Sequence, residues 1–201
     1  MTATEFWDTH YATPRAAPRP NVRLTEAVAE LPPGTALDLG SGPGGDTLWL
    51  ARRGWRVTAA DISGVAIARL AERARDLGLG DRVAAERHEL AETFPEGRFD
   101  LVSAHYLHTS FAFPRDRVLR RAAHALVPCG RLLVVDHGSV APWSWDREAR
   151  FPSPREVARS LDLDAGEWTV SRAEALSRRA TGPAGQAADV VDHLLLIRRA
   201  R

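Results

Sequence analysis

The spacing of apolar residues changes repeatedly along the chain, and each change predicts an element. Thr35–Leu39 is a short apolar run entered after Gly34 and left at Gly40, which predicts a buried strand. Gly45–Arg53 takes helical spacing and stops at Gly54; Trp55–Ala60, "WRVTAA", returns to a strand pattern. Ser63 is placed to cap a long helix whose apolar residues recur at Val65, Ile67, Leu70, Ala74 and Leu77, one helical face. A weaker strand over Asp81–His88 follows, then a strand at Phe99–Ala104, a helix at Arg115–Leu126 and the strongest strand, "GRLLVVD", at Gly130–Asp136.

Strands that alternate with helices need right-handed crossovers, so these elements predict an α/β fold of the Rossmann-like, doubly wound type with a mostly parallel sheet. The last third differs. A short helix is expected between Pro152 and Leu161, after Ser153-Pro154. Glu167–Ala175 and Val190–Arg198 then read as two strands joined by "ATGPAGQAAD" with no helix between them, a hairpin added to the sheet edge. At the other end, Phe6, Trp7 and Tyr11 precede Pro14, Pro18 and Pro20, an irregular arm or short helix followed by a loop. Asn21 is placed to cap a helix reaching about Glu30, with Val22, Ala27 and Val28 inward, and Pro32, Pro33 and Gly34 end it.

Composition narrows the class. A chain of 201 residues, 44% hydrophobic and 26% charged, suits one domain with a sizeable core. We expect a single unit over 1–201: an arm and helix over 1–30, a ligand-binding core over 35–136, and loops plus the hairpin over 137–201. The 27 basic residues, all Arg, nearly balance 26 acidic ones, so no strong pull toward nucleic acid or membrane is expected. Cys129 is the only cysteine, which rules out an intrachain disulfide. "MTATEFWDTH" lacks a basic region followed by an apolar core, and no apolar run approaches the roughly 20 residues of a membrane span. A cytoplasmic location is the expectation, as monomer or homodimer.

The chemistry starts at "ALDLGSGPGGDTLWLA", residues 36–51. Gly40, Gly42 and Gly45 fit G-x-G-x-x-G, a dinucleotide fingerprint; Asp38, Gly40, Gly42 and Gly44 fit D-x-G-x-G-x-G, a pattern of S-adenosylmethionine (SAM) enzymes. Both put glycines where a ligand lies against backbone and a helix N-terminus meets an anion. Asp61 ends the second strand 19 residues after Gly42, where a carboxylate can accept from two ribose hydroxyls, which both cofactors carry. Asp38, inside the first strand, tilts the choice toward SAM. A buried carboxylate needs a partner, and loop amides or, through water, a methionine ammonium would serve. A dinucleotide loop has no such need. Glu89 and the Leu90 backbone follow the third strand, where an adenine amino group could be met. Backbone carbonyls near Ala104 and His105 end the fourth, beside the expected reactive sulfur.

With these residues in place, the chain resembles the class I SAM-dependent methyltransferases, over nearly its whole length. It is most similar to the small single-domain branch that includes tellurite-resistance and thiopurine methyltransferase-like enzymes. The matching pieces are "ALDLGSGPGGDTLWLARRGWRVTAADIS", "FDLVSAHYLH" and "HALVPCGRLLVVDH". The resemblance implies a seven-stranded sheet with an antiparallel C-terminal strand and SAM as cofactor, with S-adenosylhomocysteine as product. By position, it implies that Asp38, Gly40, Gly42 and Gly44 bind the methionine half, Asp61 with Ile62 the ribose, and Glu89 with Leu90 the adenine. Arg19, in "RPN", would close over the site. Two departures stand out: Cys129 replaces the first glycine of the usual Pro-Gly-Gly turn, and Glu89 stands where Asp is commoner.

The resemblance implies methyl transfer, which needs alignment and water exclusion, and a base only where the acceptor must lose a proton. His105, Tyr106 and His108 follow the fourth strand and His137 the fifth, with Trp143, Trp145, Phe111 and Phe113 near the same mouth. His105 and His137 are the leading catalytic candidates because ligands bind at strand ends of such sheets. No metal is expected, since no carboxylate cluster accompanies the histidines. Ser103-Ala104-His105-Tyr106 lacks the Asn/Asp-Pro-Pro-aromatic signature of DNA amino-methylating enzymes, so a small S, N or O acceptor is expected rather than nucleic acid or membrane. Two alternatives stay open. One is an NAD(P)-dependent oxidoreductase, against which Asp38, the hairpin and the impossibility of a Tyr-x-x-x-Lys pair all argue. The other is a SAM-binding protein without turnover.

Overall fold

The computed structural model describes residues 1–13, 17–144 and 146–201; Pro14 and Trp145 lie outside the described residues. The elements run α1 (Ala3–Ala12), α2 (Val22–Ala27), β1 (Thr35–Leu39), α3 (Gly45–Arg52), β2 (Arg56–Asp61), α4 (Gly64–Asp76), β3 (Val83–Arg87), β4 (Phe99–His105), α5 (Arg115–His124), β5 (Leu126–His137), α6 (Pro154–Ser160), β6 (Trp168–Thr181) and β7 (Ala187–Arg199). The seven strands form one sheet in the order β3-β2-β1-β4-β5-β7-β6. β1 to β5 pair in parallel; β7 is antiparallel to both β5 and β6. The expected hairpin is present, with its second strand inserted between β5 and the edge.

The central strands are apolar on both sides because helices cover both faces. Leu48, Leu50 and Ala51 of α3, Leu70 and Ala74 of α4 and Leu24 of α2 pack with Trp55, Leu101 and Leu133 on one face. Val118, Leu119, Ala122 and Ala123 of α5 and Val157 of α6 pack with Leu37, Leu39, Val102 and Leu132 on the other. Side-chain caps set the starts of α1 at Thr2, α2 at Asn21, α4 at Ser63 and α6 at Ser153. Of the two readings of the N-terminal arm, the helix is the one present, over Ala3–Ala12. Other bounds differ from the sequence pattern: α2 stops at Ala27, and β5 starts at Leu126, which shortens α5. β6 and β7 also extend to Thr181 and Ala187, because each supplies the other's hydrogen bonds across a tight turn.

A buried ionic cluster ties the N-terminal part to the hairpin. Asp192 is fully buried and takes Arg23 Nε at 3.2 Å and Arg178 Nε at 2.7 Å. Arg23 also donates to the Leu176 and Ser177 carbonyls and to Glu26. Removing one member of such a cluster strands a charge out of water, at a cost of about 3–5 kcal/mol. No helix among the described residues is long and apolar enough to cross a membrane.

Cys129 has φ 65° in the turn inside β5. A side chain in that left-handed region costs roughly 1–2 kcal/mol, of which glycine returns part to the entropy of the unfolded chain. Cys129→Gly is expected to stabilise the protein by about 0.5–1 kcal/mol, a rise in Tm of roughly 1–4 °C by calorimetry. A lower Tm would show that the half-buried thiol contributes more than the turn costs.

Candidate active site

Gly40, Gly42 and Gly44 all take positive φ (68°, 51° and 87°), which carries the chain from β1 around into α3. A Cβ on Gly44 would drive into Leu70, and one on Gly42 would sit 2.9 Å from the Tyr11 hydroxyl. The Gly42 N–H donates to Asp61 Oδ2 at 2.8 Å, and the Ser63 N–H donates to Asp61 Oδ1 at 2.9 Å. One carboxylate thus fixes both the glycine loop and the start of α4. Burial pushes the Asp61 carboxyl upward, and the two amides partly oppose that. Each oxygen retains acceptor capacity, and Asp61 lines the cleft. Gly44 caps α3 without a side-chain acceptor, so no side chain occupies that helix N-terminus.

Asp38 meets hydroxyl donors from two neighbouring elements. It is buried, and its two oxygens accept from the Thr47 hydroxyl (2.7 Å) and the Ser103 hydroxyl (3.2 Å). It holds α3 and β4 to β1, while the loop amide goes to Asp61. Burial, with the nearby Asp46 carboxylate, pushes Asp38 up to about 6 despite those hydroxyls.

The cleft runs along the carboxyl ends of the strands, with about 760 Å³ of empty space including its open mouth. Asp61, Ile62, Glu89 and Leu90 line it together with Leu107, His108, Phe111 and Phe113. Helix α1 roofs it with Ala3, Trp7 and Tyr11, although no α1 residue is buried. Phe6 packs edge-on to Phe111, centroids 5.6 Å apart. Polar latches hold this roof. Asp8 Oδ1 accepts from the Ser63 hydroxyl at 2.6 Å and the Val65 N–H at 3.2 Å, and Arg69 donates to the carbonyls of Tyr11, Ala12 and Thr13. Behind α1, the Asn21 N–H donates to Asp46 Oδ1 at 2.5 Å.

The histidines separate into different environments. His105 is not a cleft residue: its Nδ1 lies 2.7 Å from Asp46 Oδ2, and its Nε2 is buried with no partner among the described residues. Burial alone would lower its basicity, but Asp46, helped by Asp38 and Asp136, outweighs that and favours the charged ring. That ring suits a fixed cation under α3 rather than a proton acceptor for a ligand. His137 stacks on Tyr106 (4.4 Å), meets Phe151 at a tilt (5.4 Å) and keeps an exposed edge. This shielding and the neighbouring His108 hold its basicity below the ordinary value, so it is neutral near pH 7. His108 does line the cleft, with Nε2 3.0 Å from Asp136 Oδ1.

Of the residues singled out from the sequence, Gly40, Asp61, Ile62, Glu89 and Leu90 come together around one cleft. Gly42 and Gly44 shape its loop. Ala104 is buried within β4, His105 lies behind the cleft, and His137 stands beside its mouth. The Arg19 side chain is exposed, while its backbone packs against Gly45. Asp46, Thr47, Ser103, Arg69, Arg115 and Asp136 were not anticipated. Asp136 carried a readable signal: "LLVVD" ends a buried strand in Asp, as "RVTAAD" does at Asp61. Among the described residues, no group of three or more His, Cys, Asp or Glu is placed to hold a metal ion.

Two outcomes follow from this geometry. An Asp38 carboxyl that ionises at 3.8 unfolded and about 6 folded contributes stability that is full below pH 3.8 and lost as pH rises through 6. Urea titrations at pH 4.5 and 7 should show this loss in the wild type and its absence in Asp38→Asn; parallel curves for the two proteins would contradict it. Arg69→Ala removes three acceptor contacts to the end of α1, each worth about 1 kcal/mol. Chymotryptic cleavage after Tyr11 should then accelerate at least severalfold, and an unchanged rate would show that the Asp8 and aromatic contacts hold the roof without Arg69.

Comparison with known proteins agrees with the geometry. Residues 36–130 match a family model described as a methyltransferase domain. A solved structure concerned with converting a disulfide bond into a thioacetal group during echinomycin biosynthesis shares 28% identity. It covers 98% of this chain and 93% of its own, with a TM-score of 0.75. TehB from Haemophilus influenzae shares the fold at 18% identity, TM-score 0.69, over 98% of this chain and 67% of its own. So does magnesium protoporphyrin IX methyltransferase from Synechocystis PCC 6803, solved with bound S-adenosylhomocysteine, at 15% identity and TM-score 0.63, over 98% and 83%. No curated protein sequence matches the chain. The methyltransferase match falls on the glycine loop, Asp61 and the strand ends that build the cleft, and residues 36–130 are a methyltransferase domain.

Proposed function

We propose that the protein transfers the methyl group of SAM to a nucleophilic S, N or O atom of a small molecule by in-line displacement. The observation that carries this is one cleft lined both by the strand-end residues Asp61, Glu89 and Leu90 and by the apolar side chains of Trp7, Leu107, Phe111 and Phe113. The residues present fit the cofactor. The Gly42 and Gly44 cradle has no room for a Cβ, the α3 N-terminus is free of a side-chain cap, and the Ser41 hydroxyl is buried without a partner among the described residues. We place the methionine half against this loop, the ribose hydroxyls on Asp61, and the adenine between Ile62, Glu89 and Leu90. Arg19 is exposed at the α3 N-terminus, within reach of a carboxylate bound there.

The cofactor, when bound, supplies an activated methyl on a positively charged sulfur. The chain's own residues supply geometry and dryness. α1 closes over the cleft with Trp7 and Tyr11, and Phe111 and Phe113 wall the acceptor end. An apolar roof and wall keep water from competing as the nucleophile, and a narrow cleft restricts the acceptor to an in-line approach. The cleft is enclosed by helix and loops rather than open as a basic groove, which favours a small acceptor over nucleic acid. Sulfur is the first acceptor to test, because the 28%-identical neighbour is described by chemistry at sulfur in a small natural product.

Titration calorimetry with S-adenosylhomocysteine and with NADH tests the cofactor; tight NADH binding with no S-adenosylhomocysteine binding would overturn it. Asp61→Asn should weaken S-adenosylhomocysteine about 10- to 100-fold, the worth of a charge-assisted hydrogen bond, and unchanged affinity would put the ribose elsewhere. Asp61→Ala is the poorer probe, since it leaves the buried Gly42 and Ser63 amides without an acceptor. Mass spectrometry of thiol, phenol and amine panels incubated with SAM then tests transfer, and binding without any methylated product would favour a SAM-binding protein without turnover.

A further inference from the structure

The acceptor end of the cleft contains one arrangement to which no role has been given. Asp136, the last buried residue of β5, has both oxygens 2.7 Å from Arg115 Nη2 at the start of α5. His108, from the loop after β4, brings Nε2 to 3.0 Å from Asp136 Oδ1, with the N–H direction off the alignment of a hydrogen bond. Burial alone would push Asp136 up, but His108 and the Arg115 guanidinium outweigh it and hold the carboxyl below its ordinary value. An ionised, anchored carboxylate therefore stands behind His108; the other histidine lining the cleft, His88, has its two ring nitrogens engaged by Thr93 and Glu86. His108 Nδ1 has no hydrogen bond among the described residues. The charged and titratable groups facing the ring are Asp136 and His137 of β5 and Arg115 of α5; Phe151 packs 6.3 Å from it.

Resting on the methyl-transfer reading above, we propose that His108 is the general base of this site, with Asp136 as its orienting partner and Arg115 as the anchor of Asp136, and that the acceptor carries an S–H or O–H proton. Asp136 fixes the tautomer in which Nε2 carries the proton, leaving the Nδ1 lone pair toward the cleft. A small ring rotation brings Nε2–H into line with Oδ1, a tightening that ligand binding commonly produces. As the acceptor's S or O forms its bond to the methyl carbon, the bond from that carbon to the sulfonium sulfur breaks and its electron pair stays on sulfur. The acceptor proton passes to His108 Nδ1 and leaves to solvent after product release. Asp136 stays ionised throughout and stabilises the imidazolium. His137 does not take this part, since its ring lies against Tyr106 outside the cleft lining. His105, paired with Asp46 and buried, is sealed behind it.

The test begins without an acceptor. Nitrogen-15 NMR of the protein saturated with S-adenosylhomocysteine should show neutral His108 with Nε2 protonated and Nδ1 bare. His108→Gln should assign the signal by deleting it, and Asp136→Asn should give a mixture of tautomers. A proton on Nδ1 in the wild type would overturn the proposal. So would a pure Nε2–H tautomer that survives in Asp136→Asn. If Asp136→Asn does not fold, the wild-type and His108→Gln spectra still decide. With an acceptor from the panels above, His108→Gln should lower kcat about 10²- to 10³-fold for an alkyl thiol or phenol. It should lower it less than tenfold for 4-nitrothiophenol, which is already ionised at pH 7.5, and leave S-adenosylhomocysteine affinity within twofold. Equal losses on both acceptors would make His108 a structural residue. Failure of S-adenosylhomocysteine to bind would instead count against the methyl-transfer reading.

Discussion

A carboxylate taken out of water has to be met by donors, and four buried aspartates impose that condition at the carboxyl edge of this sheet. Asp38 in β1, Asp61 in β2, Asp136 in β5 and Asp192 in β7 are each at most 6% exposed. Hydrophobic packing fixes where the strands run, but it is indifferent to how the loops above them lie. The donors to these four groups are not. Thr47 and Ser103 come to Asp38, the Gly42 and Ser63 amides to Asp61, Arg115 to Asp136, and Arg23 and Arg178 to Asp192. Each pairing draws a loop or helix end to a set place, because leaving one acceptor unmet costs about 1–3 kcal/mol, and more when it is charged. The cleft is the space those loops enclose.

The roof follows a different rule. α1 buries no residue completely and is held by Asp8 on the α4 N-terminus and Arg69 on its own last carbonyls. Exposed polar contacts contribute little each, so α1 is held more weakly than the elements beneath it. That suits a segment which has to let a cofactor in and then exclude water. Asp46 links the layers: one oxygen takes the Asn21 N–H behind the roof, and the other holds His105. Asp46 thereby connects His105 to the chain that leads into α2.

Much of the fold was legible because strand and helix periods are local properties. The β1 loop, the Ser63 cap of α4, the sheet class and the closing hairpin all come from patterns a few residues long. That Asp61, Glu89 and Leu90 share one cleft was legible for a related reason: each ends or follows a strand, and strand ends meet in one crevice. Which histidines enter that cleft was not, since rotation of a side chain about its strand has no sequence signal. His105 ends β4 and His108 follows three residues later in the loop, and only the contact of His105 with Asp46 of α3 marks the first as turned inward. Asp38 shows the same limit. Its burial could be foreseen, but its donors come from α3 and β4, and no spacing rule names Thr47 and Ser103. The family turn, altered at Cys129, keeps its positive φ without its glycine, so backbone geometry there outlasts the residue type that ordinarily permits it.

The distribution of charge along the cleft bears on which nucleophiles it favours. Transfer from a sulfonium to an anionic acceptor destroys charge, so the transition state is less charged than the separated reactants. A low-dielectric surrounding favours such a step once the reactants are bound, while binding an anion there is costly. The acceptor end is walled by Trp7, Leu107, Phe111 and Phe113, with His108 as its titratable cleft residue. A site of this kind gains by admitting the acceptor neutral and removing its proton only after water has been excluded. The base then has to be inside the apolar wall, and its charge has to be balanced from behind rather than from the cleft. Asp136, buried and anchored by Arg115, occupies that position.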